Sequence, residues 1–276
     1  MRILPLTFAA TLLGGCGTMQ INEGQFIRPD AKGSVAAPRL DLPALLPGMT
    51  ATEDAIATPD GATLRGVWLR RPGAGATVLY FGGNSFHLDV HGKQVLGQLA
   101  ACGTDVAVFD YRGYGRSSGA PSVATMQADA LRIFDHVNAR QPGGVVVHGM
   151  SLGSFMAAHV AARRPAARAL VLEATATTVQ DWTDANLPWY ARLFLKVEVG
   201  DSLKAVDNVA AVRGYHGRSL VLAGENDTVT PPALGRRVFD ALPGTDKQWL
   251  VAPGAGHNTI LDQQAVGPVY CKAVRG

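Results

Sequence analysis

Three residues that can act together as nucleophile, base and acid each follow a short apolar run in this sequence. Ser151 follows VVVHGM, Asp227 follows SLVLAGEN and His257 follows WLVAPGAG. A serine hydroxyl becomes a strong nucleophile only when a neighbouring base removes its proton, and histidine suits this task because it titrates near neutral pH. A carboxylate then holds the histidine in the productive orientation. These residue types predict acyl chemistry if the fold brings them together.

The pattern G-x-S-x-G occurs twice, at residues 149–153 and at residues 115–119. A turn that presents a nucleophile needs a strand directly before the serine and a helix directly after it. Ser151 lies between VVVHGM and LGSFMAAHVAARR, which satisfy both conditions. Ser117 follows the loop YRGYG and precedes a Gly-Ala-Pro sequence, where no helix can begin at once. We therefore predict Ser151 as the nucleophile and Ser117 as a loop residue.

The base and the acid are sought at the ends of later strands. His257 lies in the loop PGAGHN, at the last exit from a strand to a helix, and we predict that it is the base. Asp227, in GENDTVTP, lies between the serine and the histidine, which gives the chain order serine, acid, histidine. Glu225, two residues nearer the strand, is an alternative acid. Asp227 would otherwise be an ordinary turn residue.

An acyl-transfer site also needs backbone N–H groups that point at the developing oxyanion. The N–H of Leu152, directly after the nucleophile, is one candidate. The second candidate is Asn84, which follows the strand TVLYF and the Gly82-Gly83 pair. Glycines at this point allow the backbone to approach a substrate closely. The alternative is that these glycines only form a turn.

The elements that must position these residues alternate between strands and helices. Continuous apolar runs are typical of strands buried on both faces, and apolar residues three or four apart are typical of helices. The sequence predicts strands at residues 63–69, 77–81, 106–109, 145–148, 170–172, 220–223 and 249–251, and helices at 90–101, 123–138, 152–163, 232–242 and 258–274. This alternation predicts an α/β fold, a mostly parallel twisted sheet of about eight strands with helices on both faces. Ligands bind such sheets beyond the carboxyl ends of the strands.

Composition limits the classes of partner. The chain has 276 residues and a formal net charge of +3, without a dense cluster of Lys and Arg, so a nucleic-acid partner is not expected. No His, Cys and carboxylate cluster has metal-ligand spacing, and no dinucleotide fingerprint is present. We therefore expect a small-molecule acyl substrate and neither a metal nor an organic cofactor. The sequence does not indicate an oligomeric state.

The N-terminus has the features of an export signal. Arg2 precedes the apolar stretch 3–13, which ends in Leu-Gly-Gly-Cys16. This ending resembles the lipobox of bacterial lipoproteins, in which the cysteine becomes the lipidated first residue. An ordinary cleaved signal and a buried helix are the alternatives. We expect residues 1–16 to be a signal, 17–50 a tether and 51–276 the domain, exported and anchored by lipid in the cell envelope, with the domain in the periplasm or at the cell surface.

Export changes the interpretation of the two other cysteines. Cys102 and Cys271 lie near the ends of two helices that should pack on the same face of the sheet. A disulfide is compatible with an exported protein. Two separate buried thiols are the alternative.

Five motifs in chain order carry a family resemblance: YFGGN, FDYRGYGRSSG, HGMSLG, AGENDTVTP and GAGHN. Over residues 50–270 the chain resembles the α/β-hydrolases, particularly the branch of serine aminopeptidases and small acyl hydrolases. The resemblance implies Ser151, Asp227 and His257 as a catalytic triad, places Ser117 in a structural loop, and implies a short cap at about residues 177–201. One departure is Gly82, where relatives often carry histidine before Gly-Asn.

The sequence thus predicts a serine hydrolase that cleaves an ester, thioester or related acyl bond, of the carboxylesterase type. A peptidase or acyltransferase with the same triad is one alternative. A non-catalytic lipoprotein that binds a ligand on a hydrolase scaffold is another.

Overall fold

The structure, a computed structural model, describes residues 17–30, 37–42 and 46–276. Its strands are β1 (Gly17–Ile21), β2 (Thr50–Ala57), β3 (Thr63–Arg70), β4 (Thr77–Phe81), β5 (Asp105–Phe109), β6 (Val145–Met150), β7 (Ala169–Glu173), β8 (Leu195–Val199), β9 (Arg218–Gly224) and β10 (Lys247–Ala252). Its helices are α1 (Glu23–Phe26), α2 (Leu88–Ala100), α3 (Val123–Arg140), α4 (Leu152–Arg163), α5 (Val179–Asn186), α6 (Asp201–Lys204), α7 (Asn208–Val212), α8 (Pro232–Ala241) and α9 (Val266–Arg275). A short 3₁₀ turn covers Ala191–Leu193.

Eight strands form one sheet in the order β10-β9-β7-β6-β4-β5-β3-β2. All neighbours are parallel except at β3, which is antiparallel to both β2 and β5. The predicted fold class is therefore confirmed. Helices α3, α4 and α8 pack on one face of the sheet, and α2 and α9 pack on the other. The central strands are buried along their whole length because both faces are covered, which explains their continuous apolar runs.

Two elements differ from the sequence-based prediction. Strand β2 was not expected, because as an edge strand it leaves most of its residues partly or fully exposed and its sequence, TATEDAIA, is half polar. The last helix begins at Val266 rather than at residue 258. Pro268 accounts for this start, because proline lacks an N–H and is tolerated only in the first turn of a helix. The shorter helix leaves His257 on a loop.

The prediction of a tether at 17–50 is wrong for the part of this segment that the structure describes. Strand β1 pairs in parallel with β8, in register from Gly17 opposite Leu195 to Ile21 opposite Val199. The side chain of Ile27 is buried in the core. The segment packs on the domain because its apolar residues find partners there, so a Gly- and Pro-rich composition was a poor guide. The predicted signal and Cys16 lie outside the described residues.

Two further features concern the predictions about export. In the structure Cys102 and Cys271 form a disulfide, and these are the two residues that the sequence suggested. Among residues 17–30, 37–42 and 46–276, no helix combines the length and the apolar character needed to cross a membrane.

Candidate active site

Ser151 lies in a sharp turn between β6 and α4, at the carboxyl end of a central strand. Its backbone has φ 53° and ψ −117°, a conformation that is strained for a residue with a side chain. The flanking glycines make this turn sterically feasible. A Cβ on Gly149 would lie 2.2 Å from the carbonyl oxygen of Gly153, and a Cβ on Gly153 would lie 2.0 Å from that of Phe81. The turn therefore depends on close contact between strand and helix backbones.

The three predicted residues meet above this turn. Ser151 Oγ lies 3.0 Å from His257 Nε2, and His257 Nδ1 lies 2.9 Å from Asp227 Oδ2. Both distances are within hydrogen-bond range. Asp227 is buried, whereas 14% of the His257 side chain remains exposed. The arrangement can carry a proton from the serine hydroxyl to the imidazole while the buried carboxylate holds the ring.

Asp227 is held as an anion by its own turn. It accepts hydrogen bonds from the backbone N–H groups of Val229 and Thr230 and from the Thr230 hydroxyl, at 2.7–2.9 Å. Burial alone would raise the pKa of this carboxyl. The hydrogen bonds from His257 and Thr230 outweigh burial and lower the pKa of Asp227 below its usual value. The carboxylate is thus charged at neutral pH and oriented toward the imidazole.

Thr230 is a residue that the sequence interpretation missed. Its hydroxyl oxygen lies 2.7 Å from Asp227 Oδ2 and 3.1 Å from His257 Nδ1, so it contacts both partners. A threonine three residues after an aspartate in a turn is a signal that could have identified it. The alternative acid, Glu225, is exposed and instead accepts a hydrogen bond from the N–H of Gly254.

Two candidate oxyanion donors lie beside the nucleophile. Leu152 is the first residue of α4, where backbone N–H groups have no partner within the helix. Gly83 lies against the nucleophile, since a Cβ there would be 3.5 Å from Ser151 Cβ, and Asn84 is the next residue. Asn84 and Leu152 both line the cavity over Ser151. Both residues therefore contribute to the cavity wall beside the nucleophile.

The side chain of Asn84 serves a different purpose from the one considered in the sequence. Its amide donates to the carbonyl oxygen of Phe26, and its oxygen accepts from the Tyr114 hydroxyl and the backbone N–H of Arg28. Asn84 thus fastens residues 26–28 to the edge of the site. A Cβ at Gly82 would lie 2.3 Å from the Phe86 ring. Phe86 occupies the space that a larger residue would need.

A cavity of about 490 Å³ opens over Ser151 and His257. Its walls are mainly apolar and include Phe26 from the N-terminal segment, Trp182 from α5 and Phe155 from α4. Phe26 and Trp182 pack edge to face, with ring centroids 5.6 Å apart. Arg28, which is exposed, also lines this cavity. The N-terminal contribution could not be expected from a segment interpreted as a tether.

A group of three buried polar side chains lies under the nucleophile. His148 is fully buried and lies 3.1 Å from both the Glu173 carboxylate and the Tyr270 hydroxyl. The carbonyl oxygen of Glu173 accepts the N–H of Ser151. Burial raises the pKa of the Tyr270 hydroxyl well above its usual value, and the charge of Glu173 raises it further. This group supports the strand under the turn and does not reach the cavity over His257.

The second serine pattern folds differently. The Ser117 hydroxyl donates to the carbonyl oxygen of Asp110 at 2.7 Å and accepts from the N–H of Arg65 at 2.8 Å. Ser117 is buried and has no histidine among these partners. It connects the loop after β5 to strand β3, as expected for a structural residue.

Two family models match the chain. The model described as "Serine aminopeptidase, S33" covers residues 74–213, and the model described as "TAP-like protein" covers residues 201–269. Together they include the turn of Ser151 and the loops of Asp227 and His257.

Among curated relatives, an uncharacterized protein of Mycobacterium tuberculosis is 32% identical over 227 residues, which is 80% of this chain and 76% of that protein. The lysophosphatidylserine lipase ABHD12 of Mus musculus is 31% identical over 180 residues, which is 60% of this chain and 45% of that protein. The chain thus matches less than half the length of the lipase.

Solved structures share the fold at low identity. The Pyrococcus furiosus esterase Pf2001 superposes with a TM-score of 0.68 at 18% identity, covering 87% of this chain and 100% of that chain. Acetyl xylan esterase 1 from Thermoanaerobacterium superposes with a TM-score of 0.64 at 16% identity, covering 83% and 84%. At these identities the similarity describes the fold alone.

Proposed function

The chain belongs to the α/β-hydrolase superfamily, and from this membership we propose that it is a serine hydrolase that cleaves acyl esters. The observation that carries the proposal is the chain of contacts Ser151–His257–Asp227, at 3.0 and 2.9 Å, over a strained turn. Three residues separated by up to 106 positions rarely meet in this geometry without a chemical reason.

The proposed reaction runs in two halves. His257 Nε2 takes the proton of Ser151 as its oxygen attacks the substrate carbonyl, and the N–H groups of Leu152 and Asn84 bind the oxyanion. Asp227 stabilises the imidazolium that forms. His257 then protonates the leaving alcohol, and a water molecule, activated by the same imidazole, releases the acid from the acyl-enzyme. Each oxyanion donor contributes about 3–4 kcal/mol to lowering the barrier in comparable sites.

We propose that the acyl group of the substrate lies against Phe26, Phe155 and Trp182. These side chains form the apolar wall of the cavity. The relationship to a lysophosphatidylserine lipase supports a lipid ester with one acyl chain. Arg28, at the same cavity, supports a substrate with an anionic group.

The description of the matching family as serine aminopeptidases favours a second candidate, a peptidase with the same triad. An aminopeptidase binds the ammonium group of its substrate, for which a carboxylate is the natural partner. Within the described residues, no Asp or Glu lines the cavity over Ser151, and Arg28 would repel an ammonium group. The ester therefore fits this cavity better. An acyltransferase would differ only in the nucleophile that resolves the acyl-enzyme.

A fluorophosphonate probe tests the nucleophile. We expect it to label the folded protein and Ser117→Ala, and not to label Ser151→Ala. Ser117→Ala is a matched control because it removes the serine of the other G-x-S-x-G pattern. Absence of labelling in folded wild type would instead support the non-catalytic binding protein.

The bond that is cleaved is tested with nitrophenyl esters of increasing acyl length beside aminoacyl nitroanilides. We expect kcat/KM to rise with acyl length, because longer chains bury more apolar surface in the cavity. Higher kcat/KM for the aminoacyl amides would replace the esterase by the peptidase and leave the triad in place.

We also propose that the protein is exported and anchored through lipid on Cys16. The N-terminal sequence supports this proposal, because a charged start precedes an apolar stretch that ends in Leu-Gly-Gly-Cys. The disulfide, of the kind found outside the cytosol, also supports export. Labelled palmitate should enter the wild type and not Cys16→Ser. Incorporation into both, or into neither, would exclude this anchor.

A further inference from the structure

The segment 177–201, which contains α5, the 3₁₀ turn and β8, exposes four large apolar side chains in six consecutive residues. They are Trp189, Tyr190, Leu193 and Phe194, here called the aromatic patch, with 75%, 59%, 62% and 71% of their surface exposed. A soluble surface rarely groups such residues without a partner. Tryptophan and tyrosine are also the residues that prefer the interface between membrane and water.

Gly17, the first residue that the structure describes, lies beside the aromatic patch. The N–H of Gly17 donates to the carbonyl oxygen of Phe194 at 3.1 Å, and Gly17 lies opposite Leu195 in the paired strands β1 and β8. Cys16 is the next residue, and consecutive Cα atoms are about 3.8 Å apart. A lipid on Cys16, as proposed above, would therefore be attached one residue from the contact between Gly17 and Phe194.

The patch also adjoins the rim of the cavity. Helix α5 carries Trp182 in the cavity wall and ends at Asn186, whose side chain donates to the carbonyl oxygen of Val229, another residue of that wall. The patch begins three residues after Asn186. The N-terminal segment thus connects the anchor site to the patch, and the segment 177–201 connects the patch to the cavity rim.

We propose that the aromatic patch inserts into the interface of the bilayer that holds the lipid anchor, so that the cavity receives acyl lipids from that bilayer. This proposal rests on the lipid anchor and the esterase activity proposed above. A lipid anchor fixes only one point of the chain to the bilayer, and a second apolar contact fixes the orientation of the domain on it. The patch supplies this contact and turns the cavity rim toward the lipid.

A bilayer fits the patch better than a second copy of the chain does. Arg192 is exposed in the middle of the patch, and its guanidinium donates to the carbonyl oxygens of Leu187 and Asp184. In a two-fold dimer built on so small an area, Arg192 would lie close to the same residue of its partner, and the two charges would repel. Against a bilayer, the N–H groups of this guanidinium that do not bind these carbonyls can face lipid phosphates, as cations at membrane surfaces commonly do.

Tryptophan quenching tests insertion directly. The full-length protein is reconstituted in phosphatidylcholine vesicles with brominated acyl chains, which quench only fluorophores that enter the lipid. Of the four tryptophans, Trp189 is exposed, whereas Trp68 is buried and Trp182 and Trp249 are partly buried. We expect strong quenching of the wild type and loss of most of it in Trp189→Phe. Equal quenching in both proteins, or none in either, would overturn the proposal.

A rate comparison tests the consequence for substrate access. We expect the double variant Leu193→Ser/Phe194→Ser to hydrolyse a long-chain ester embedded in vesicles about a hundred-fold more slowly than wild type, because each of the two large apolar side chains lost from the lipid interface is worth about a factor of ten in binding. Hydrolysis of a soluble short-chain ester should not change. Val90→Ser is the matched control, since Val90 is an exposed apolar residue on α2.

The outcomes separate this proposal from the proposed function. No hydrolysis of the soluble ester by wild type would refute the esterase, whereas quenching would still report on the patch. An unchanged rate on vesicles in the double variant would refute the role in substrate access. A concentration-dependent dimer of wild type that is lost in the double variant, without quenching, would assign the patch to a second copy of the chain.

Discussion

The two G-x-S-x-G turns have the same sequence pattern and opposite uses. Ser151 has a strained backbone, and its hydroxyl contacts His257 at 3.0 Å. Ser117 is buried, and its hydroxyl contacts backbone groups of two other segments. The first turn exposes an oxygen for chemistry, and the second uses an oxygen to hold a loop. A match to this five-residue motif therefore does not identify a nucleophile until the flanking elements are known.

The difference lies in what surrounds each turn. The first turn connects a central parallel strand directly to α4, so the serine oxygen projects over the carboxyl edge of the sheet. The second follows the loop after β5 and leads to Gly119 and Pro121, so its serine is drawn toward strand β3. In the sequence, the flanking strand and helix distinguished Ser151 from Ser117 as the nucleophile. The contacts in the structure agree with this distinction.

Each turn also has its own aspartate, and the two carboxyls are perturbed in opposite directions. Hydrogen bonds lower the pKa of Asp227 despite its burial. Burial raises the pKa of Asp110, although this carboxylate accepts N–H groups of Leu88 and Arg116. Asp227 stays charged beside the His257 imidazole, whereas Asp110 binds backbone N–H groups of its own loop and of α2.

The largest expected effect sharpens this contrast. We expect Asp227→Asn to reduce kcat by about 10⁴-fold, because the amide no longer favours the tautomer that accepts the Ser151 proton. Asp110→Asn should retain kcat within a small factor, since Asp110 contacts no residue of the triad. Both are measured by steady-state kinetics on a soluble ester. Similar kcat values for the two variants would mean that Asp227 is not the orienting acid.

The next effect concerns the glycines of the two turns. A Cβ at Gly153 would meet the backbone of Phe81 at 2.0 Å, whereas a Cβ at Gly119 would meet Ala62 Cβ at 2.9 Å, with φ at 90°. Backbone in a sheet cannot move aside, so Gly153→Ala should lower the free energy of unfolding by about 3 kcal/mol or more. Gly119→Ala should lower it by about 1–3 kcal/mol. Denaturant titration measures both, and a milder loss at Gly153 would contradict the close contact of strand and helix.

A smaller effect separates the serines by stability. Ser117→Ala leaves the buried carbonyl of Asp110 and the N–H of Arg65 without their partner, which should cost about 1–3 kcal/mol of unfolding free energy. Ser151→Ala should change stability by less than about 0.5 kcal/mol, because its hydroxyl contacts a partly exposed histidine at the cavity. Ser117→Ala should therefore lose more stability than Ser151→Ala, whereas Ser151→Ala should lose more activity. Equal stability losses would remove the distinction between a structural and a catalytic serine.

The sequence was sufficient for the parts of the fold that repeat a strong physical pattern. Buried strands such as β4 and β6 are continuous apolar runs because both faces are covered, and Ser151 and Asp227 follow such strands. His257 follows the edge strand β10, most of whose residues are partly exposed. Edge strand β2 is half polar and was missed for the same reason. These outcomes follow from burial, which is visible in single residues.

Contacts between distant, weakly patterned segments could not be predicted. Nothing in QFIRP indicates that Phe26 would pack on Trp182 or that Asn84 would bind its carbonyl oxygen. Strands β1 and β8 pair over more than 170 residues of chain, and each is short. Their pairing depends on where the cap segment lies, which is a property of the assembled domain. The cavity wall was therefore the least predictable part of the site.

The smallest effect is a pH dependence that distinguishes the two aspartates. A carboxyl with a lowered folded pKa stabilises the protein above its unfolded pKa, and this contribution is lost as pH falls through the folded pKa; Asp227 is such a group. A carboxyl with a raised folded pKa has the opposite sign, so acid relieves the cost of burying Asp110 as a charge. Between about pH 5 and pH 2, unfolding free energy should therefore fall less steeply in Asp227→Asn and more steeply in Asp110→Asn than in wild type. Each pKa unit of difference corresponds to about 1.4 kcal/mol, so denaturant titrations at several pH values can resolve the slopes. Parallel slopes in the three proteins would mean that the two turns hold their carboxylates in equivalent environments, and the contrast between them would then rest on the serines alone.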